Sequence, residues 1–222
     1  MSYFTKEWDW INNKDNYWLI PSEEIFYLSE RWKNKGFNSF LDLGCGLGRH
    51  SVFMAKKGFD VVAVDLSEVA VGKTKAWSDR EDCNVKTIVS DFTNLPFSDN
   101  SFDCILAYNV IYHTDTKGFT DSLNEIKRIL KPNGEIFLTL ISKNTYSYKH
   151  SNNYSRIDDN TLLRNNSDTE INVPHFYVDY EDIIKYFKNW IFVNLPREWT
   201  DYSPKSENRF STHWSLLLKK GE

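Results

Sequence analysis

The chain has 222 residues, a formal net charge of −4, 41% hydrophobic residues and 16% aromatic ones. That length suits one α/β domain with an inserted or appended element, and the acidic balance argues against the basic face that nucleic-acid phosphates call for. No apolar run approaches the roughly 20 residues of a membrane span, and no amino-terminal stretch joins positive charge to a continuous apolar segment, so a cytoplasmic protein without a membrane partner is expected. The three cysteines Cys45, Cys83 and Cys104 lack metal-ligand spacing. They read as reduced thiols, and no metal site is expected.

Residues 1–20 form an aromatic leader with Trp8, Trp10, Tyr17 and Trp18. It either clasps the domain or lids an active site. Pro21-Ser22-Glu23-Glu24 then opens a helix, with a cap and acids in its first turn, that is predicted to end at Gly36. Phe40 to Leu43 reads as a buried strand running into Gly44-Cys45-Gly46-Leu47-Gly48 and a helix start at Arg49-His50. One glycine permits positive φ in the tight turn, and the others let backbone N–H groups approach a ligand that no Cβ could sit beside. A dinucleotide fingerprint would need its third glycine where Arg49 stands, which disfavours a nicotinamide oxidoreductase.

Asp60 to Asp65 is a β-branched run closed by a carboxylate 21 residues beyond Gly44. In an α/β sheet the ligand lies outside the carboxyl ends of the strands, where such an acid can accept bonds from ribose hydroxyls. Val85 to Val89 is a third strand, followed by Ser90-Asp91-Phe92, and Ser101 begins a fourth that leads into Tyr108, Asn109, Tyr112 and His113. Leu123 to Gly134 carries apolar residues at helical spacing and is expected to stop at Pro132-Asn133-Gly134 before a strand from Glu135 to Ile141. Ser142 to Val173 is rich in Asn and Ser and lacks either hydrophobic period, so residues 142–175 are expected to be a long substrate-side insert. Asp179 to Phe187 reads as a helix, and the stretches Trp190 to Leu195 and Ser211 to Leu218 read as an antiparallel hairpin.

The ordered set Asp42-x-Gly44-x-Gly46-x-Gly48, Asp65, Asp91-Phe92 and the fourth strand ending at Asn109 resembles the class I S-adenosylmethionine (SAM) dependent methyltransferases of type 11 over residues 36–142. The Gly-Arg-His-Ser helix start and the carboxyl end also look like the tellurite resistance methyltransferases. The resemblance implies a single α/β domain with a Rossmann-like seven-stranded sheet of order 3-2-1-4-5-7-6, strand 7 antiparallel. It implies SAM as cofactor, held by Asp42, Gly44, Cys45, Gly46, Gly48, Arg49, Asp65, Leu66, Ser67, Asp91, Phe92 and Asn109. Asp65 would meet the ribose, Asp91 the adenine amine and Phe92 its ring nitrogen through the backbone. Asp42 would either accept from the glycine loop or reach the SAM amino group indirectly. Arg49 is better suited than His50 to the methionine carboxylate, with solvation the alternative for both. Asp103 reads as structural.

Methyl transfer from a sulfonium needs the acceptor held in line and water excluded, and a general base helps only a protonated acceptor. His113 and His175 are the candidate bases, with His213 beside Trp214 a third, each also readable as a core histidine. Tyr17 and Tyr112 would orient the acceptor or face the sulfonium. A small-molecule acceptor is favoured, a non-catalytic SAM sensor and a protein acceptor being the alternatives. Asn109 is followed by Val110 rather than Pro, which disfavours a DNA amino-methyltransferase.

Overall fold

The structure, a computed structural model, describes residues 8–11, 16–164, 172–202 and 210–221. Residues 1–7 and 12–15 of the aromatic leader and 165–171 of the insert lie outside the described residues. After the leader, α1 (Glu23–Asn34) is followed by β1 (Ser39–Leu43), α2 (Arg49–Lys56), β2 (Asp60–Asp65), α3 (Glu68–Arg80), β3 (Val85–Val89) and β4 (Phe102–Ala107). Then come α4 (Thr116–Ile129), β5 (Leu130–Ile141), α5 (Tyr146–Lys149), β6 (Ser155–Arg156), β7 (Thr161–Arg164) and β8 (Val173–Phe176). The chain finishes with α6 (Tyr180–Tyr186), β9 (Trp190–Phe192), β10 (Arg197–Tyr202) and β11 (Phe210–Lys220).

The main sheet runs β10-β11-β5-β4-β1-β2-β3, with β9 also paired to β11. β1, β2, β3, β4 and β5 are mutually parallel, whereas β11 is antiparallel to β5, β9 and β10. Parallel strands covered on both faces bury their side chains on both sides, which is why Leu41, Val64, Ile105 and Leu138 are fully enclosed. Helices α1 and α2 cover one face through Ile25, Leu28, Trp32 and Met54, and α4 and α6 cover the other through Phe119, Leu123, Ile126 and Ile183. The order is that of the expected seven-stranded sheet, with the sixth strand broken in two. β9 continues toward β10 through a bond from Val193 N to Leu217 O before the register slips, so the hairpin partner of β11 is Arg197–Tyr202 rather than Trp190 to Leu195 alone.

Two further boundaries differ from the sequence reading. The helix before β5 ends at Ile129, and Pro132-Asn133-Gly134 lies inside the strand, where Leu130 pairs with Phe102 and the register shifts before Cys104. Asn133 takes up this irregularity at φ 63°. The insert is not a structureless loop: β6, β7 and β8 form a small antiparallel sheet. Its strands are two to four residues long, too short to leave a visible period in the sequence. Phe176 of β8 stacks on Phe119 of α4 at 4.3 Å, fixing that sheet above the β4–α4 turn.

Helix α1 is anchored by charge. The fully buried Glu135 of β5 accepts from Arg31 Nε and Nη2, Trp32 Nε1 and Lys35 Nζ at 2.7–3.0 Å. These cations hold its carboxyl below the usual range against the opposing effect of burial. Asp103 accepts from Asn38 N, Ser39 N and Ser39 Oγ and pairs with Lys131, joining the starts of β1 and β4. Among the described residues no helix is long and apolar enough to cross a membrane.

Candidate functional site

The carboxyl ends of β1, β2 and β4 converge on a cleft of about 70 Å³. Its floor is the turn after β1, where Gly44 N and Cys45 N both donate to Val64 O at 2.7 and 2.9 Å, tying β1 to β2. Gly44 has φ 73°, and a Cβ there would lie 2.3 Å from Val110, so neither the conformation nor the space admits another residue. Gly46, at φ 54°, donates its N–H to Asp65 Oδ2 at 2.9 Å, and Ser67 N donates to Oδ1 at 3.0 Å. Two backbone donors thus fix the Asp65 carboxylate at the cleft wall. Leu66, Ser90 and Phe92 continue that wall, and Asn109 closes the opposite side. Asn109 sits at φ 55°, its N–H donating to Thr139 Oγ1 and its side-chain oxygen accepting from the same hydroxyl. A non-glycine residue in this region is strained, and here β5 holds it in place.

Of the residues singled out in the sequence, Gly44, Cys45, Gly46, Arg49, Asp65, Leu66, Phe92, Asn109 and His113 line this cleft. Others stand elsewhere. Asp42 is buried beneath it and accepts from Ser51 Oγ of α2 at 2.5 Å, not from the glycine loop, and burial lifts its carboxyl to about 6. Gly48, at φ 91°, is the residue before α2 and packs against Thr74, and Ser67 reaches the site only through its bond to Asp65. Asp91 turns its Oδ1 to Thr93 N and Oγ1, while Ser90 and Phe92 on either side of it face the cleft. Burial keeps the Cys45 thiol well above its usual range, which leaves it unreactive.

Arg49 is neither solvated nor turned wholly to the cleft. It is buried, and its Nη1 donates to the carbonyls of Tyr17 and Ile20, both at 3.0 Å, with its guanidinium over the rings of Tyr17, Trp18 and Tyr108. His50 beside it accepts from Ser22 N, and burial with the Arg49 charge pushes its imidazole well below the usual range, keeping it neutral. The start of α2 therefore pins the leader. Lys73 of α3 adds a bond to Trp10 O at 2.7 Å. Trp8, Trp10 and Trp18 pack edge to face or stacked at 5.3–5.9 Å between ring centres, and all three line the cleft. The Trp10 indole lies against Gly46, 2.8 Å from where a Cβ would stand. Tyr17 stands outside the cleft, in a second cavity beyond Arg49.

Past Asn109 the β4–α4 turn carries Tyr112 and His113. The fold brings His175 from β8 and His213 from β11 to the same place. His113 is 4.8 Å from His175 and 4.5 Å from Tyr112 between ring centres, and Tyr112 Oη lies 3.5 Å from His213 Nε2. All four are at least nine-tenths buried. Only His113 faces the cleft, where its ring meets Trp8. His175 sits behind it with Nδ1 3.1 Å from Val173 O. Among the described residues no group of three His, Cys, Asp or Glu side chains is arranged to hold a metal ion. His50, weighed beside Arg49 in the sequence, lines the cleft, as do Tyr108 and Val110; these two adjoin Asn109, and that adjacency was the available signal.

Residues 40–134 match the family model described as a methyltransferase domain. An uncharacterized protein of Methanocaldococcus jannaschii is 32% identical over 123 residues, which are 55% of this chain and 49% of that protein. The chain thus spans about half the length of that relative. Among solved structures, a SAM-dependent methyltransferase from Methanosarcina mazei superposes with a TM-score of 0.69 at 17% identity, covering 83% of this chain and 93% of the other. TehB from Haemophilus influenzae does so with a TM-score of 0.66 at 19% identity, covering 90% and 62% respectively. At these identities the structural likeness is one of fold. The matched residues 40–134 include the strands and turns that form the floor of the cleft, and over that stretch the chain is similar to a methyltransferase domain.

Proposed function

We propose that this protein transfers a methyl group from SAM to a small-molecule acceptor. The observation that carries this reading is the single cleft in which the Gly44–Gly46 backbone, the fixed Asp65 carboxylate, Phe92, Asn109 and His113 meet at the ends of β1, β2 and β4. The chemistry of these groups fits the cofactor. Asp65 would accept from the ribose hydroxyls, Leu66 and Phe92 would flank the adenine, and Arg49 with the glycine-loop backbone would face the methionine end. When bound, SAM supplies an electrophilic methyl on a sulfonium. The faces of Trp8, Trp10, Trp18 and Tyr108 favour positive charge and exclude water.

His113 is the base in this reading, because it alone of the three clustered histidines reaches the cleft. It would take the proton of a hydroxyl or ammonium acceptor, while His175 behind it orients its ring. Tyr17 acts at one remove, through Arg49. The leader roofs the site with Trp8, Trp10 and Trp18, and the β6–β8 insert backs it through His175 behind His113. The test is incubation with methyl-labelled SAM and fractionated cell metabolites. A labelled small molecule is the expected result; label on protein would replace the acceptor class, and SAM binding without any transfer would leave a sensor.

A further inference from the structure

A second cavity, of about 880 Å³, opens on the far side of Arg49 and Tyr108, the two residues it shares with the cofactor cleft. It lies between the start of α1, the leader and the β10–β11 hairpin, and five aromatic rings, Tyr17, Tyr27, Tyr108, Phe137 and Trp199, contribute to its walls. Its size is that of a site for a metabolite. Trp199 also stacks on His213 at 5.1 Å, so the cavity adjoins the histidine cluster as well as the cleft.

Carboxylates outnumber cations in the lining of this cavity, Glu23, Glu24 and Asp201 against Arg49 and Arg197. Glu24 and Asp201 both line it, and among the described residues neither lies within ion-pair distance of a lysine or arginine. Partial burial and the charge of Glu24 hold the Asp201 carboxyl above its usual range, and the same glutamate acts on the Tyr108 hydroxyl. Arg197 lines the cavity too but forms no ion pair with either group, and Arg49 is engaged by the leader carbonyls and the ring faces. Two carboxylates that repel each other among aromatic faces form a site that a cation relieves twice, by neutralising the pair and by meeting the rings.

We propose that this second cavity holds the methyl acceptor, and that the acceptor is a small organic cation whose ammonium group sits between Glu24 and Asp201 with its apolar body on Tyr27, Tyr108 and Trp199. The inference rests on the methyl-transfer reading of the adjoining cleft and adds the substrate class to it. The ammonium is the handle by which the molecule is held.

The test uses the full chain and benzylamine, which is protonated at neutral pH, with benzyl alcohol as the uncharged control. Both are titrated calorimetrically into the wild type, Glu24→Gln and Asp201→Asn, and SAM is titrated into the same three proteins. Benzylamine should bind the wild type about tenfold more tightly than benzyl alcohol, and each substitution should weaken it by about tenfold with SAM affinity unchanged. Equal affinities for amine and alcohol, or amine binding that both substitutions leave intact, would overturn the assignment while SAM binding stands. Loss of SAM binding in the wild type would instead bring down the reading of the cleft. SAM binding in the variants also shows that they are folded.

Discussion

The two cavities are built in opposite ways. The cofactor cleft is made at the ends of adjacent strands by short turns, and its decisive contacts involve backbone groups: Gly44 N and Cys45 N on Val64 O, Gly46 N and Ser67 N on Asp65. The second cavity has its walls from the leader, α1, the end of β4 and the β10–β11 hairpin, segments brought together from across the chain, and it presents mainly side chains. A site of the first kind tolerates little change, because moving a backbone donor moves a strand. One of the second kind can change its ligand by single substitutions while the sheet stays as it is.

The sharpest break of that contrast is Gly44→Ala. A Cβ there would enter Val110 at φ 73°, costing about 2–4 kcal/mol of stability and displacing the turn. Denaturant unfolding should show the loss, and calorimetry should show no SAM binding; wild-type affinity in this variant would mean that the glycine turn is not the cradle. Next in size is His113→Gln, which should lower kcat by about 10²- to 10⁴-fold with a protonated acceptor and leave SAM affinity unchanged. An unaltered kcat, with an unaltered pH profile, would remove the base from the mechanism.

Asp42 sharpens the comparison from beneath the cleft. Its folded-state value of about 6 stands above the ordinary 3.8, because burial disfavours the charged form. The folded protein therefore holds that proton more tightly than the unfolded chain does. Its contribution to stability is fully present below about pH 4 and is lost as pH rises through about 6, an effect of about 3 kcal/mol. Asp42→Asn keeps an acceptor for Ser51 and should remove that portion of the decline, so the stability difference between variant and wild type should grow in the variant's favour between those pH values. A constant difference across the range would show that the carboxyl titrates normally. The smallest effect is that of Asp65→Ala, which should cost about 1.5–3 kcal/mol of SAM affinity, roughly ten- to a hundredfold, while the sheet remains folded. Binding like that of the wild type would reduce Asp65 to a bracket for the Gly46 and Ser67 amides.

The histidines show how far a sequence can be read into a site. His113 follows the fourth strand at a position the topology points at, and it stands in the cleft. His175 and His213 carry no comparable local signal, since one belongs to a four-residue strand in the insert and the other to the last strand of the sheet. Their meeting at Tyr112 depends on β8 docking over α4 and on β11 pairing with β5. Arg49 shows the same limit. Its position at the start of α2 was legible, whereas its engagement by the carbonyls of Tyr17 and Ile20 depended on where the leader comes to rest.

The order of the strands was implied by the family resemblance, whereas the sequence by itself determined the parts that rest on local chemistry: the glycine turn after β1, the carboxylate that ends β2, the presence of the first five strands and the antiparallel ending. Each of these is a periodicity or a backbone requirement carried within about a dozen consecutive residues. Tertiary structure alone decided the rest. It divided the sixth strand into β9 and β10 at a register slip, drew the insert into a three-stranded sheet, and turned Asp42 to Ser51. It also laid Trp10 on Gly46 and opened the acidic, aromatic cavity beyond Tyr108. These features are contacts between side chains far apart in the chain, whose free energies are set by packing and charge in three dimensions and leave no period in the sequence.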